Sequence, residues 1–347
     1  MEILTRMERI LVIQTAFIGD AVLTLPMLQK LKENFPASAI DVVCIPSTEE
    51  IFNASDAVNE VLIMDKRGKH KSIINLFKFI KEIKDKNYTR IYSPHRSFRS
   101  SLIVMQSGVK ETYGFDSSSM FHIYKHITKY KLEHHEVERN LELIGFDCSN
   151  DKWRIKPEIQ VSAETQNKID RYLLGNNLTR KLAAVAPGTI WSTKKYPAKY
   201  FSQVVNYLNK KDFEVLLIGS EKDRDICSSI APDSKSGVKV AAGDLSIVET
   251  IELLKRCEIL ISNDSAPTHF GMAAGIKVLT IYCSTVHLFG FYPYNKYSSY
   301  ISFDELDCKP CGIHGYDECP IKTFDCANKL TPEKITNKIE EMLIGIV

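Results

Sequence analysis

Four short stretches of the chain combine residue types that can do chemistry with positions at the ends of apolar runs. In EILISNDSAPTHFGMAAGIKVLTIY, an apolar run ends at Ser262 and is followed by Asp264, Ser265 and Pro267. An acid and a hydroxyl before a proline are what a helix start uses. Unpaired backbone N–H groups and the positive end of the helix dipole make such a start a phosphate site. Ala266 is small, and Gly271, Ala273 and Ala274 let the helix lie close to a sheet. The plainer alternative is that Asp264 and Ser265 only cap a helix and that His269 is structural. In VAPGTIWSTKKYP, Pro187–Gly188 breaks a strand, and Thr189, Ser192, Thr193 and Lys194 then offer hydroxyls and a cation. A fixed ammonium there suits an anionic leaving group; a solvated loop with surface lysines is the alternative. In IGSEKDRD, Glu221 and Asp223 follow a strand and can reach ribose hydroxyls, or simply favour a first helical turn. In QTAFIGDAVLTLP, a single loop glycine excludes a dinucleotide fingerprint, and Asp20 opens a helix either as a general base or as an N-cap.

The elements that position these residues repeat in two halves. In the first, RILVIQT from Arg9 is a buried strand, AFIGD a loop, and AVLTLPMLQKLKENF a helix kinked at Pro26. Strands begin at Ile40, Glu60 and Arg90. The spacing of Ile73, Leu76, Phe77, Ile80 and Ile83 predicts a helical stripe within 72–86, and another helix begins at Ser100. The rhythm weakens over 114–131 and resumes in HEVERNLELIG, closed by Gly145. An extended connector spans about 151–164. The second half alternates again: strands begin at Leu182, Phe213, Glu258 and Lys277, and helices cover 199–208, 223–230, 246–255 and 269–274. A last helix begins at Thr331. Alternating strands and helices predict an α/β chain of two doubly wound, parallel-sheet domains with a cleft between them. The domains are 1–160 and 161–330, followed by a C-terminal helix, 331–347.

With 347 residues the chain can build two cores, and 44% hydrophobic with 25% charged residues is an ordinary globular balance. A net charge of +2 argues against a nucleic-acid binder of the polyelectrolyte kind. No run reaches the length of a membrane span, and the apolar stretch from Ile10 lacks a cleavage site, so a cytoplasmic protein is expected. Met7 is a candidate start. Positive charge is local: between Lys66 and Arg99 there are eleven Lys or Arg and two acids. Arg96 and Arg99, in SPHRSFRSSL after a strand, are the best contacts for an acidic ligand. Lys78, Lys81 and Lys84 are either the solvated side of a helix or part of a face for an anionic membrane. Five of the nine cysteines are scattered. Cys308, Cys311, Cys319 and Cys326 cluster as C-x2-C-x7-C-x6-C, which suggests structural zinc, or else thiols packing a loop or an occasional disulfide.

Taken together, the stretches IGD…P, PG…KKYP, GSEKD and NDSAPTH occur in the order found in the lipopolysaccharide heptosyltransferases, glycosyltransferase family 9. The chain resembles that family over nearly its whole length, most of all its heptosyltransferase II members. The resemblance implies a GT-B fold and ADP-L-glycero-β-D-manno-heptose as donor. It also implies an acidic, membrane-anchored inner-core acceptor ending in Kdo or heptose, and inversion at the anomeric carbon with no metal or cofactor required. Residue by residue it implies Asp20 as catalytic base and Lys194 at the donor phosphate, with Thr189 in the phosphate loop. Asp264, Ser265, Ala266 and His269 hold the donor heptose and its phosphates, and Glu221 or Asp223 the ribose. The sequence departs from the commoner D-(S/T)-G pattern at Ala266–Pro267, where Ala266 keeps a small residue. An epimerase on the same scaffold, a family member with another donor or acceptor, and a silent nucleotide-binding protein are the alternatives. The order of motifs argues against the first, and the co-occurrence of Asp20, Lys194 and Asp264 against the last.

Overall fold

A computed structural model describes residues 8–231 and 237–345; Met7 lies outside the described residues. The chain forms two compact units, 1–160 and 161–347. In the first, strands β1 (Arg9–Ile13), β2 (Ala39–Cys44), β3 (Glu60–Ile63), β4 (Arg90–Ser93), β5 (Glu111–Phe115) and β6 (His126–Thr128) form one sheet in the order β3-β2-β1-β4-β5-β6. Every pairing in it is parallel. Its helices are α1 (Ile18–Asn34), α2 (Glu49–Asn53), α3 (Ile73–Asp85), α4 (Phe98–Ser107) and α5 (Glu136–Leu143). In the second unit, β7 (Lys181–Ala186), β8 (Phe213–Leu217), β9 (Val238–Val240), β10 (Cys257–Asn263), β11 (Lys277–Tyr282) and β12 (Ser299–Ser302) run β12-β11-β10-β7-β8-β9, again all parallel. The order is the same doubly wound one, with the two halves of each sheet diverging from its central strands. Its helices are α6 (Ala163–Gly175), α7 (Ala198–Lys210), α8 (Arg224–Ile230), α9 (Ile247–Leu254), α10 (Ala266–Ala274), α11 (Asp325–Asn328) and α12 (Pro332–Leu343).

The central strands are apolar along their length because helices cover both faces of each sheet. Leu11 and Ile13 of β1 pack with Leu76, Phe79, Ile80 and Ile83 of α3 and Ile103 and Val104 of α4. The alternate residues Ile10 and Val12 are also fully buried, and α1 packs with α2 and α5. In the second unit Val185, Val215, Ile259 and Ile281 pack with α7, α8 and α12, while α9 packs with both α6 and α10.

Several expectations need correction. The AFIGD loop is shorter than predicted, because Ile18, Gly19 and Asp20 already belong to α1, which stays helical through Pro26. The apolar stripe of α3 uses Phe79 in place of Ile73 and Phe77, which stand exposed. Helix α6, the inner strand β5 and the edge strands β6, β9 and β12 are additions to the expected elements. Edge strands are short and half-buried, so they carry little of the apolar signal that marks a central strand. No described helix is long and apolar enough to cross a membrane.

Candidate active site

Two clusters of polar side chains gather at the carboxyl ends of the central strands, where this topology leaves room for ligands. In the first unit, Asp20 sits in the first turn of α1, immediately beyond β1. Its Oδ2 accepts the Phe17 N–H at 3.2 Å. Its carbonyl accepts the Thr24 hydroxyl at 2.8 Å, and that hydroxyl accepts from the Gln14 amide at 2.9 Å. Helix α5 is tied to α1 by the Asn140 amide, which donates to the Leu23 carbonyl at 3.3 Å. That docking brings Glu136 and Arg139 to bear on Asp20. Arg139 is fully buried; its Nε donates to Glu136 at 2.9 Å, and its Nη1 donates to the Leu132 carbonyl at 3.1 Å. Desolvation, and then the charge of Glu136, push the Asp20 carboxyl up to about 7; the Phe17 N–H and Arg139 pull the other way. A carboxyl at that level can take a proton near neutral pH.

The same edge collects cations. The Arg96 guanidinium lies 3.8 Å from the centre of the Tyr130 ring, and Arg139 lies 4.6 Å from it. The Tyr130 hydroxyl donates to Glu136 at 3.5 Å. Arg96 also donates to the Ser117 hydroxyl, and Arg99 to the Lys66 carbonyl at 3.1 Å. The Lys66 ammonium donates to the Thr15 carbonyl at 2.8 Å. His95 Nδ1 stands 2.7 Å from the Thr15 hydroxyl and 3.1 Å from that of Ser100. Burial, with Lys66 and Arg96 adding to it, holds its pKa down at about 4, so the ring is neutral at physiological pH. Arg96 thus belongs to the Asp20 neighbourhood through Tyr130 and Glu136, whereas Arg99 braces the Lys66 segment.

In the second unit the centre is an ion pair. Lys194 Nζ lies 2.6 Å from Asp264 Oδ2, both side chains only 12% exposed, and the Thr285 hydroxyl donates to the same carboxylate at 2.6 Å. Asp264 therefore does not cap α10. Ser265, the residue before α10, makes no side-chain cap either: its hydroxyl donates to the Gly188 carbonyl at 3.2 Å. Ala266 is the first residue of that helix. The Asn263 amide donates to the Pro187 carbonyl at 2.7 Å and accepts the Tyr196 N–H at 3.1 Å, which pins the Lys194 loop to the end of β10. His269 is buried, and its Nδ1 has no hydrogen-bond partner among the described residues. Burial holds its pKa down at about 4, against the pull of Asp264 and with a smaller contribution from Lys194. Asp223 accepts the Ser220 N–H and hydroxyl at 2.8 and 2.7 Å and closes the turn that starts α8. Its carboxylate also lies against Gly188, where a Cβ would come within 2.3 Å of Oδ1. Thr189, on the same loop, is half-buried. Glu221 is set apart, paired with Arg224 at 2.8 Å.

The folded chain thus joins Lys194, Asp264, Ser265 and His269 with Asp223 behind Gly188, and leaves Glu221 outside. Glu136, Arg139, Asn263 and Thr285 were missed from the sequence. The signal for the first two was present, since HEVERNLELIG places charged residues on its buried side beside Val137 and Leu141. Asn263 and Thr285 meet their partners only through the sheet.

The sequence profile of glycosyltransferase family 9 (heptosyltransferase) matches residues 76–318. A lipooligosaccharide heptosyltransferase 2 of Campylobacter jejuni is 24% identical over 94% of this chain and 96% of its own. Among solved structures, a family 9 glycosyltransferase from Veillonella parvula superposes with a TM-score of 0.84 at 21% identity, covering 97% of both chains. The ADP-heptose lipopolysaccharide heptosyltransferase II of Escherichia coli superposes with a TM-score of 0.78 at 20% identity, over 97% of this chain and 98% of that one. The fold shared with them is GT-B.

Proposed function

The chain belongs to glycosyltransferase family 9, the heptosyltransferases, and from that premise we propose that it transfers L-glycero-D-manno-heptose from ADP-heptose to the inner core of lipopolysaccharide, with inversion and without a metal ion. The observation that carries this reading is the Asp20 carboxyl, held at the end of β1 with its pKa lifted to about 7. In the proposed step Asp20 takes the proton of the acceptor hydroxyl as that oxygen attacks C1 of the heptose, and the C1–O bond to the β-phosphate breaks. Such a base contributes about 10² to 10⁴ in rate.

The departing ADP carries new negative charge. Lys194 and the start of α10 are suited to it, because an ammonium and a helix N-terminus both favour anions in a partly desolvated setting. Asp264 holds Lys194 until the diphosphate arrives, and Thr285 keeps Asp264 in place afterwards. Ser265, Ala266 and His269 then face the donor sugar and its phosphates, Thr189 completes the phosphate loop, and Asp223 behind Gly188, or Glu221, takes the ribose. In this reading unit 1–160 receives the acceptor and unit 161–347 the nucleotide-sugar. The acceptor's carboxylates and phosphates meet Arg96 and Arg99.

An anchored acceptor places the enzyme at the cytoplasmic face of the inner membrane. The first turn of α3 supports peripheral contact there: Ile73 and Ile74 are 71% and 69% exposed and stand beside Lys69, Lys71 and Lys78.

The test incubates the protein and its Asp20→Asn variant with ADP-heptose and two truncated cores, one ending in Kdo and one in a single heptose. ADP release and product mass are followed. Transfer by the unaltered protein alone supports the reading and identifies the acceptor. Equal transfer by the variant removes Asp20 from the mechanism, and failure to bind ADP-heptose refutes the donor.

A further inference from the structure

Residues 303–324, between β12 and α11, form neither helix nor strand. An ordered loop of that length with no secondary structure of its own is uncommon in a compact domain and needs something to hold it. Phe303, Leu306 and Phe324 at its two ends pack on the core, and the Lys309 ammonium donates to the Tyr282 and Phe303 carbonyls at 3.2 Å; in between, Ile313, Tyr316 and Ile321 are each about half exposed. Phe324 and Lys322 adopt φ values of 52° and 61°, which side-chain-bearing residues rarely take unless fixed by their surroundings. What the loop does contain is three of the four clustered cysteines, and the fourth, Cys326, follows in α11. Cys308, Cys311, Cys319 and Cys326 all line one cavity of about 220 Å³, together with Tyr316 and Phe324. None of the four is in a disulfide.

We propose that Cys308, Cys311, Cys319 and Cys326 are the ligands of a thiolate-bound metal centre, of zinc or iron, that staples this loop. Four thiols converging on one cavity are a complete ligand set for a soft metal, and a C-x2-C pair is the usual first half of such a set. Each thiol gives its proton to solvent as the metal binds, so metal affinity and loop order rise together. The spacing bears on the kind of centre. Among the described residues only His134, Glu138 and Glu142 bring three ligand atoms within 4.8 Å of one another, so no three of these sulfurs lie that close. A single ion with bonds of about 2.3 Å draws its sulfurs closer than that. An iron–sulfur cluster, whose thiolates surround an iron–sulfide core, accepts the wider span. Both are metal held by the same four thiolates, and stoichiometry separates them.

The stapled loop reaches the ion-pair site. The Tyr316 N–H donates to the Thr193 hydroxyl at 2.8 Å, the Thr193 N–H donates to the Tyr316 carbonyl at 3.1 Å, and the Cys311 N–H donates to the Ser284 carbonyl at 2.8 Å. A Cβ on Gly315 would lie 3.1 Å from Lys194 Cγ. The metal therefore positions the Lys194 loop from behind and takes no part in the transfer chemistry.

The experiment uses the full chain, produced with iron and zinc both supplied and purified without oxygen or chelator. Zinc, iron and acid-labile sulfide are measured per chain after gel filtration. About one zinc or iron without sulfide identifies a single ion; about four irons with matching sulfide and a visible chromophore identify a cluster. Either supports the proposal, provided that a mercurial thiol reagent releases the metal from the unaltered protein. Cys311→Ser and Cys319→Ser should each lose most of it, and the metal-free protein should be cut by protease first within 303–324. Less than about a tenth of an equivalent of metal per chain, with the four thiols free or disulfide-bonded, overturns it. The effect expected on ADP binding, a several-fold loss on metal removal, rests on the proposed donor site; the metal content does not, so the two readings fail separately.

Discussion

Asp20→Asn should make the protein more stable above neutral pH while removing its activity, and the size of the gain follows from the site. The carboxyl titrates at about 7 in the folded chain against 3.8 for an ordinary aspartate. Below about pH 4 the residue is protonated in both folded and unfolded chains and exerts no effect. Between about 4 and 7 the unfolded chain releases this proton while the folded chain keeps it, so stability falls as pH rises; above about 7 the loss is complete. A difference of about 3 units at 1.36 kcal/mol each is a cost of roughly 4 kcal/mol. Asparagine carries no charge at any of these values, and its amide oxygen can still accept the Phe17 N–H. The attraction of the carboxylate for the Phe17 N–H and the helix start is already inside that difference, so the net gain is about 4 kcal/mol. At about pH 5.5 the cost in the unaltered protein is only roughly 2 kcal/mol, so the advantage of the variant should widen by about 2 kcal/mol up to about pH 8. For a unit of this size that widening is several degrees in Tm. Thermal melts of both proteins across this pH range, followed by far-ultraviolet circular dichroism, measure it. A gap that stays constant with pH, or a variant that melts lower at about pH 8, would refute the idea that Asp20 is held against its ordinary ionisation.

Other outcomes test neighbouring parts of the site. Transfer should fall on the acid side with an apparent pKa near 7. Glu136→Gln should move that limb down by about one unit, because it removes a like charge and leaves Arg139 less compensated; an unmoved limb would disconnect Glu136 from Asp20. Lys194→Ala leaves Asp264 mostly buried with only the Thr285 hydroxyl. It should lower stability by about 3 kcal/mol in denaturant titrations and weaken ADP binding in calorimetry. Arg96→Ala should raise the KM for the acceptor about tenfold with ADP binding intact; an equal effect on both ligands would place Arg96 elsewhere. Ile73→Ser with Ile74→Ser should reduce sedimentation with vesicles rich in phosphatidylglycerol several-fold, a loss that salt alone should also produce in part.

Much of this architecture is legible in the sequence because it rests on local pattern. RILVIQT, LAAVAP, FEVLLIG, EILIS and KVLTIY are continuous apolar runs, as strands covered on both faces must be, and the polar residues that follow them lie at the ligand edge of the sheet by topology alone. Asp20, Lys194, Asp264 and His269 could be singled out for that reason. What the sequence could not supply was pairing across distance. Whether Asp264 capped α10 or held Lys194 depended on β7 lying beside β10, which brings residues 194 and 264 together. That Asp20, which accepts the Phe17 N–H at the helix start, is also raised toward neutrality depended on its burial and then on α5 docking on α1 through Asn140, which sets the charge of Glu136 against it. Whether the clustered Cys308, Cys311, Cys319 and Cys326 faced one another depended on a loop closing around a single cavity. Residue type and spacing determine which groups arrive at an edge; desolvation and the distance between charges, which decide what those groups do, exist only once the sheets and helices have packed.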